Sequence, residues 1–145
     1  MASLEFEGLD DLLNAFDRIS DIPEDVQSKA LNAMGQIAKD AIQKKGEDMR
    51  IRDDESTTHI LDKLTLRKPK FNKNESHLDI TFSGSRIRGK TKTRNSEIAF
   101  VNEYGKRNQT ARPFVGLAMT ENADKITNAG ADILLDWIER EFHKK

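Results

Sequence analysis

Apolar residues recur at three- and four-residue intervals in two long segments, a pattern typical of amphipathic helices. The first segment follows Pro23, a residue favoured at the first helical position, and closes at Gly46, a residue favoured just after a helix. Its apolar positions are Val26, Ala30, Met34, Ile37, Ala41 and Ile42. The second segment starts at Pro113, and its stripe comprises Ile126, Ala129, Ile133, Leu134, Trp137, Ile138 and Phe142. We predict helices over 23–45 and 113–143, with a kink allowed by the weak helix formers at 120–122 and at Gly130.

The N-terminus shows a shorter version of the same helical pattern. Residues 4–7 alternate apolar and polar, which predicts a short strand, and Gly8 follows. A helical face then comprises Leu9, Leu12, Leu13, Phe16 and Ile19. We therefore predict a strand followed by a first helix.

The middle of the chain changes to a period of two, which is typical of half-buried strands. Alternation predicts strands near 64–66, 78–82 and 98–104, with a turn at 72–75 and a short helix just before the first strand. Pro69 favours an edge position for that first strand. The predicted fold is α+β: one domain, 1–145, in which a small antiparallel sheet of three to four strands packs against two N-terminal helices and one long C-terminal helix.

Composition restricts the classes of protein that the chain can represent. Charged residues make up 34% of its 145 residues, above the usual ~25%, yet the net charge is only -1. There is no cysteine, so disulfides and thiolate metal sites are excluded. The chain shows neither a secretion signal at its start nor an apolar run of about 18 residues, so we expect a soluble protein made inside the cell, with no membrane contact.

Candidate chemistry is sparse. The three histidines, His59, His77 and His143, lack metal-ligand spacing, so we expect no metal and no cofactor. The segment "GSRIRGKT" (84–91) satisfies the spacing of a phosphate-binding loop. That loop needs a buried strand before it and a helix after it, whereas the sequence predicts an amphipathic strand and a basic, strand-like segment. We keep nucleotide binding as an enzyme alternative and expect the chain not to be an enzyme.

The segment 85–96 is described better by its charge than by the phosphate-loop pattern. Its cations alternate with small or apolar residues and would project from one side of an extended arm: Arg86, Arg88, Lys90, Lys92 and Arg94. Such an arm suits contact with an acidic protein surface or with nucleic acid, and equally suits a solvated hairpin tip. No aromatic residue is interleaved, which argues against stacking on single-stranded bases.

The only candidate acid–base residues lie in or near the segment 99–119, namely Glu97, Glu103 and Arg112. A structural explanation is stronger. Arg112 precedes a proline, which favours an extended backbone, and Pro113 suits the start of a helix. We predict a rigid strand-to-helix corner in which Phe114 is buried and Arg112 is free to pair with a carboxylate such as Glu103.

The same stretch, "FVNEYGKRNQTARPFVGLAM", resembles a signature of the tail-completion or neck proteins of long-tailed bacteriophages, "hEaGT…ARPFhxxA", where h is apolar and a is aromatic. The matching residues are Glu103, Tyr104, Gly105, Ala111, Arg112, Pro113, Phe114 and Ala118. Lys106 stands where the family has threonine. "STTHILDKLTLRK" is similar to the family segment "TGxLxxSI", with Thr58 in place of glycine and Lys63 in place of serine.

The resemblance implies a structural protein of a virion or prophage at the head–tail interface, made in the bacterial host cytoplasm. Such proteins form a homo-oligomeric ring, expected to be a hexamer, which joins the head connector to the tail tube around the DNA channel. The partners would be neighbouring copies, connector and tube proteins, with non-specific DNA contact in the channel. The alternative is a small DNA-binding module that uses the cations of 86–94.

Overall fold

The computed structural model describes residues 22–51, 59–72 and 75–143. The elements are α1 Glu24–Asp48, a 3-10 helix Ile60–Lys63, β1 Leu64–Leu66, β2 Lys70–Phe71, β3 Ser76–His77, β4 Ile80–Phe82, β5 Ser85–Arg88, β6 Thr91–Arg94, α2 Asn95–Tyr104, α3 Phe114–Glu121 and α4 Ala123–His143. This is the predicted α+β class. The strand predicted at 4–7 and the helix predicted after it lie outside the described residues.

The predicted sheet of three to four strands is wrong. The described strands form three separate antiparallel pairs, β1–β4, β2–β3 and β5–β6. The first two pairs are successive parts of one long hairpin, since Leu66 pairs with Ile80 and Lys70 pairs with His77. Pro69 lies between them, and a proline has no N–H to continue the ladder.

The strand predicted over 98–104 is also wrong, because this segment is helix α2. Its buried positions are Asn95, Ala99 and Asn102, at the i, i+4 and i+7 spacing of one helical face. Two of these three residues are polar, so the helical stripe is invisible to an apolar pattern. The alternation of Ile98 and Phe100 does not reflect one buried face, because Ile98 packs on the core whereas Phe100 is 62% exposed.

The core forms where α1, the 3-10 helix, β1, α2 and α3 meet. Its buried residues are Ile42, Ile51, Ile60, Leu61, Leu64, Ala99, Phe114 and Ala118. Helix α1 does not end at Gly46 as predicted but continues to Asp48, and Gly46 is buried against the side chain of Leu61. The lack of a side chain at residue 46 therefore serves packing rather than helix termination.

The C-terminal segment is two helices, and the break is at Asn122, one of the weak helix formers at which a kink was expected. Its side-chain Nδ2 donates to the carbonyl oxygen of Ala118 at 2.8 Å, and its backbone N–H donates to the same oxygen at 3.2 Å. Gly130, the other position at which a kink was expected, lies inside α4 and is buried. A Cβ at Gly130 would collide with Met34, so this glycine allows α4 to approach α1 closely.

The C-terminal stripe is confirmed at Ile126, which is buried, but Phe142 at its far end is 48% exposed. Within the described ranges, no helix has the length and apolar character needed to cross a bilayer.

Candidate functional site

The cations of the predicted arm lie on a β-hairpin, β5–β6, which we call the basic hairpin (residues 85–94). Ser85 pairs with Arg94 at its base and Arg88 pairs with Thr91 at its tip. The turn is made by Gly89 and Lys90, and Gly89 has a φ of 63°, in the left-handed region that favours glycine. The hairpin carries five cations and no acid.

The prediction that these cations project from one side is wrong, because the turn reverses the chain. Residues directly opposite each other in an antiparallel pair share a face. Arg86 and Arg88 therefore share one face with Thr93 and Thr91, whereas Ile87 and Lys92 share the other. We call these the inner face and the outer face; Arg86, Arg88 and Thr93 line a cleft against the body of the protein.

The outer face exposes groups that contribute little to the fold. Ile87 is 70% exposed. Lys92, on the outer face, and Lys90, in the turn, are exposed, and neither has an ion-pair partner among residues 22–51, 59–72 and 75–143. Arg94 differs, since its Nη2 lies 2.8 Å from Oε1 of Glu97, one turn into α2.

Asn95 fixes the base of the hairpin to the body. Its backbone N–H donates to the carbonyl oxygen of Gly84 at 3.0 Å, and its side-chain Nδ2 donates to that of Ser83 at 2.8 Å. Asn95 is 1% exposed, so both bonds are shielded from water. The direction in which the hairpin leaves the body is thus set by one buried amide.

The segment 84–91 does not form a phosphate-binding loop. Gly89 and Lys90 sit in the turn of an antiparallel hairpin, and the residues after them form strand β6. A phosphate-binding loop instead presents backbone N–H groups at the start of a helix. The segment therefore lacks the geometry on which the nucleotide-binding alternative was based.

The predicted corner joins two helices, α2 and α3, rather than a strand and a helix. Gly105 ends α2 with a φ of 77°, and its N–H donates to the carbonyl oxygen of Val101 at 2.8 Å. A Cβ at Gly105 would lie 2.8 Å from the backbone nitrogen of Ala111, so only glycine fits. Lys106 and Gln109 then exchange two backbone hydrogen bonds and close a tight loop.

Glu103 and Arg112 do not pair with each other as predicted. The Glu103 carboxylate accepts hydrogen bonds from the backbone N–H groups of Val115 and Gly116, both at 2.8 Å. These N–H groups belong to the first turn of α3, where no intrahelical acceptor exists. The negative charge also lies favourably at the positive end of the helix dipole.

Arg112 is a structural crosslink. Its Nη2 donates to Oδ1 of Asn102 at 2.6 Å, and its Nη1 donates to the carbonyl oxygen of Arg50 at 3.1 Å. The backbone N–H of Arg112 also donates to the carbonyl oxygen of Asn102 at 2.6 Å. Arg112 thus ties the corner to α2 and to the chain leaving α1.

The burial of Phe114 is confirmed, since its exposed fraction is 0%. Its ring packs edge-on against Phe82 of β4, with ring centroids 5.9 Å apart. Pro113 immediately precedes the first helical residue. Tyr104, by contrast, points outward, and its ring contacts the exposed ring of Phe100 at 4.7 Å between centroids.

The hairpin, α2 and the corner enclose a cleft of about 500 Å³. Residues from all three parts line it, among them Arg86, Glu97 and Arg112, so the structure brings the basic segment and the corner together. The acidic candidates do not converge: Glu97 binds Arg94 and Glu103 caps α3. Across the described parts of the chain, no group of three or more His, Asp or Glu residues is placed to hold a metal ion.

Sequence reasoning missed two buried amides, Asn95 and Asn102. A signal for Asn95 exists, since Asn-Ser followed by Glu97 is typical of the start of a helix. No comparable signal marks Asn102, whose Oδ1 accepts from both Arg112 and Gln109.

A scan against protein-family models returns no match, and searches of the curated proteins and of the solved structures return none either.

Proposed function

We propose that the chain is a structural protein of a virion or prophage at the head–tail interface, a tail-completion or neck component that assembles as a ring around the DNA channel. The neck-protein signature supports the proposal, because its residues together form and stabilise the corner between α2 and α3. Glu103 caps α3, Gly105 permits the turn, Arg112 crosslinks the corner and Phe114 anchors it.

One observation carries the proposal, namely that the basic hairpin exposes groups for which the fold itself has no use. Ile87 is 70% exposed, and Lys90 and Lys92 have no ion-pair partner within the described residues. Unpaired charges of one sign suit contact with a surface of the opposite sign, and the exposed Ile87 adds apolar area to such a contact. In an assembling ring, that molecule is a neighbouring copy or the DNA in the channel.

The test is removal of the reading frame from the phage or prophage that encodes the chain, followed by electron microscopy of the particles. We expect DNA-filled heads and separate tails, and we expect the intact gene supplied in trans to restore joined particles. Particles with normally joined heads and tails would overturn the proposal.

A second experiment asks whether the hairpin is involved. The triple charge reversal Arg86→Glu, Arg88→Glu and Lys90→Glu is expected to abolish ring assembly and to lower the yield of infectious particles. Lys68→Glu, an exposed cation in the loop between β1 and β2, is the matched control. Normal rings and a normal yield from the triple variant would exclude these three cations from assembly.

The DNA-binding alternative makes a different prediction for the isolated protein. A module that neutralises phosphates with the hairpin cations would bind duplex DNA with an affinity that falls steeply as salt rises. Fluorescence anisotropy with a labelled duplex between 50 and 200 mM salt, roughly the range over which such contacts are lost, measures this. Tight, salt-sensitive duplex binding in the absence of any ring would favour the alternative.

A further inference from the structure

We propose that the outer face of the basic hairpin docks on the outward face of helix α4 of a second copy, in a head-to-tail contact. The inference deepens the proposed function and rests on it for the biological setting, because it names the two surfaces through which neighbouring copies would join.

The receiving surface is acidic and carries an exposed apolar residue. Helix α4 holds five acids against one lysine and one arginine. Asp132, Leu135 and Glu139 follow the i, i+3, i+7 spacing of one face, and all three are exposed, with Leu135 at 56%. The buried residues of α4, Ile126 and Gly130, lie on the opposite side.

The charges on this face are available for an intermolecular contact. Neither Asp132 nor Glu139 has an ion-pair or hydrogen-bond partner in the described part of the chain, whereas neighbouring Asp136 pairs with Arg140 at 2.8 Å. On the hairpin, Lys90 and Lys92 are similarly unpaired within those residues. The two surfaces thus match in kind: each has one exposed aliphatic side chain beside two unpaired charges, and the charges are of opposite sign.

The dimensions agree as well. Asp132 and Glu139 are seven residues apart, about 10 Å along a helix. A four-residue strand spans about 13 Å, so the hairpin is about as long as this stretch of α4. Ile87 lies directly opposite Lys92, and Lys90 follows in the turn, so a contact of Ile87 with Leu135 brings both lysines to the acidic face.

Charge also selects which surfaces meet. Hairpin on hairpin or α4 on α4 would oppose like charges, which is unfavourable. A hairpin-on-α4 contact can be reciprocal in a two-fold dimer or head-to-tail, and the head-to-tail form, which the proposed function requires, repeats around a ring when the rotation closes. A second copy of this chain is therefore the occupant that the charges favour.

The test is a charge swap in the full chain, followed by light scattering coupled to size exclusion over a range of concentrations. Lys92→Glu and Glu139→Lys are each expected to weaken association by at least about tenfold, because each opposes like charges. The double variant Lys92→Glu/Glu139→Lys restores opposite charges and is expected to recover most of the association. Lys68→Glu is the matched control and is expected to behave as the wild type.

Three outcomes would overturn the proposal: a wild-type chain that stays monomeric at every concentration, single variants that associate normally, or a double variant that is no better than the single ones. Association that is lost in Phe100→Ala/Tyr104→Ala but kept in Lys92→Glu would assign the contact to the exposed rings instead. If the charge swap fails while particles lacking the chain still show unjoined heads and tails, the docking surfaces are wrong and the proposed function stands.

Discussion

The carboxylate of Glu103, near the end of one helix, accepts a hydrogen bond from the backbone N–H of Val115, in the first turn of the next, at 2.8 Å. The second oxygen accepts from Gly116 at the same distance. One side chain therefore caps α3 from outside that helix and holds α2 and α3 together. Two charge-assisted bonds are stronger than one neutral cap.

Glu103→Ala is expected to lower the free energy of unfolding by about 1–2 kcal/mol, the upper half of the range for lost helix caps. Glu103→Gln should lose less, because an amide oxygen can still accept one bond. Urea denaturation followed by circular dichroism measures both. Glu97→Gln, which breaks only an exposed ion pair with Arg94, is the control and should change stability by less than about 0.5 kcal/mol. Equal effects at residues 97 and 103 would contradict the capping role.

Phe114→Ala is expected to destabilise the protein by about 3–5 kcal/mol, because it removes a fully buried ring and leaves a cavity beside Phe82. Phe100→Ala is the matched control, since it deletes the same side chain from an exposed position and should cost less than about 1 kcal/mol. Thermal melts of the two variants compare the stability lost at the buried and at the exposed position. An unchanged melting curve for Phe114→Ala would contradict the claim that the buried ring stabilises the fold.

Gly105→Ala and Gly89→Ala compare two glycines with similar φ but different surroundings. At Gly105 a Cβ would meet the backbone around Ala111, so we expect a loss of more than about 2 kcal/mol. At Gly89 no atom lies within 4 Å of the added Cβ, so only the left-handed conformation is penalised, by about 1 kcal/mol. Chemical denaturation of both variants measures the difference. Equal losses would show that backbone conformation alone matters at residue 105.

Arg112→Lys should cost about 1–2 kcal/mol although the charge is kept, because an ammonium group cannot reproduce a planar fork that reaches Asn102 and the Arg50 carbonyl together. Arg107→Lys, at an exposed position in the 106–109 loop, is the control and should be neutral. If Arg112→Lys is as stable as the wild type, the crosslink contributes nothing to the corner.

Elements whose burial depends on apolar side chains could be predicted from the sequence. Helix α1 follows its periodicity because Val26, Ala30 and Ile42 of the predicted stripe are buried. The strands at Leu64 and Ile80 pair with each other's neighbours and pack on the core. Helix α2 could not be predicted this way, since its inward face is built by Asn95 and Asn102. The break of the C-terminal segment could be anticipated at 120–122 because Asn122 is a weak helix former, and its side-chain amide shares the Ala118 carbonyl with its backbone N–H.

The candidate site, like the fold, could be predicted from the sequence only in part. That Phe114 is buried and that Gly105 ends an element follow from residue type together with position, since Phe114 comes directly after Pro113 at the start of a helix. The true partner of Glu103 does not, because backbone N–H groups are present at every position and only tertiary structure selects Val115 and Gly116. The two faces of the basic hairpin could be predicted only by recognising the turn at Gly89, where the chain reverses.

The reach of Arg112 has a consequence for the order of folding. Its guanidinium contacts the carbonyl of Arg50, 62 residues earlier in the chain, and contacts between distant residues carry the entropy of closing a large loop. We therefore expect the corner to consolidate after the local helices and hairpins have formed. Arg112→Lys should then accelerate unfolding much more than it slows refolding, which stopped-flow measurements over a range of urea concentrations would reveal.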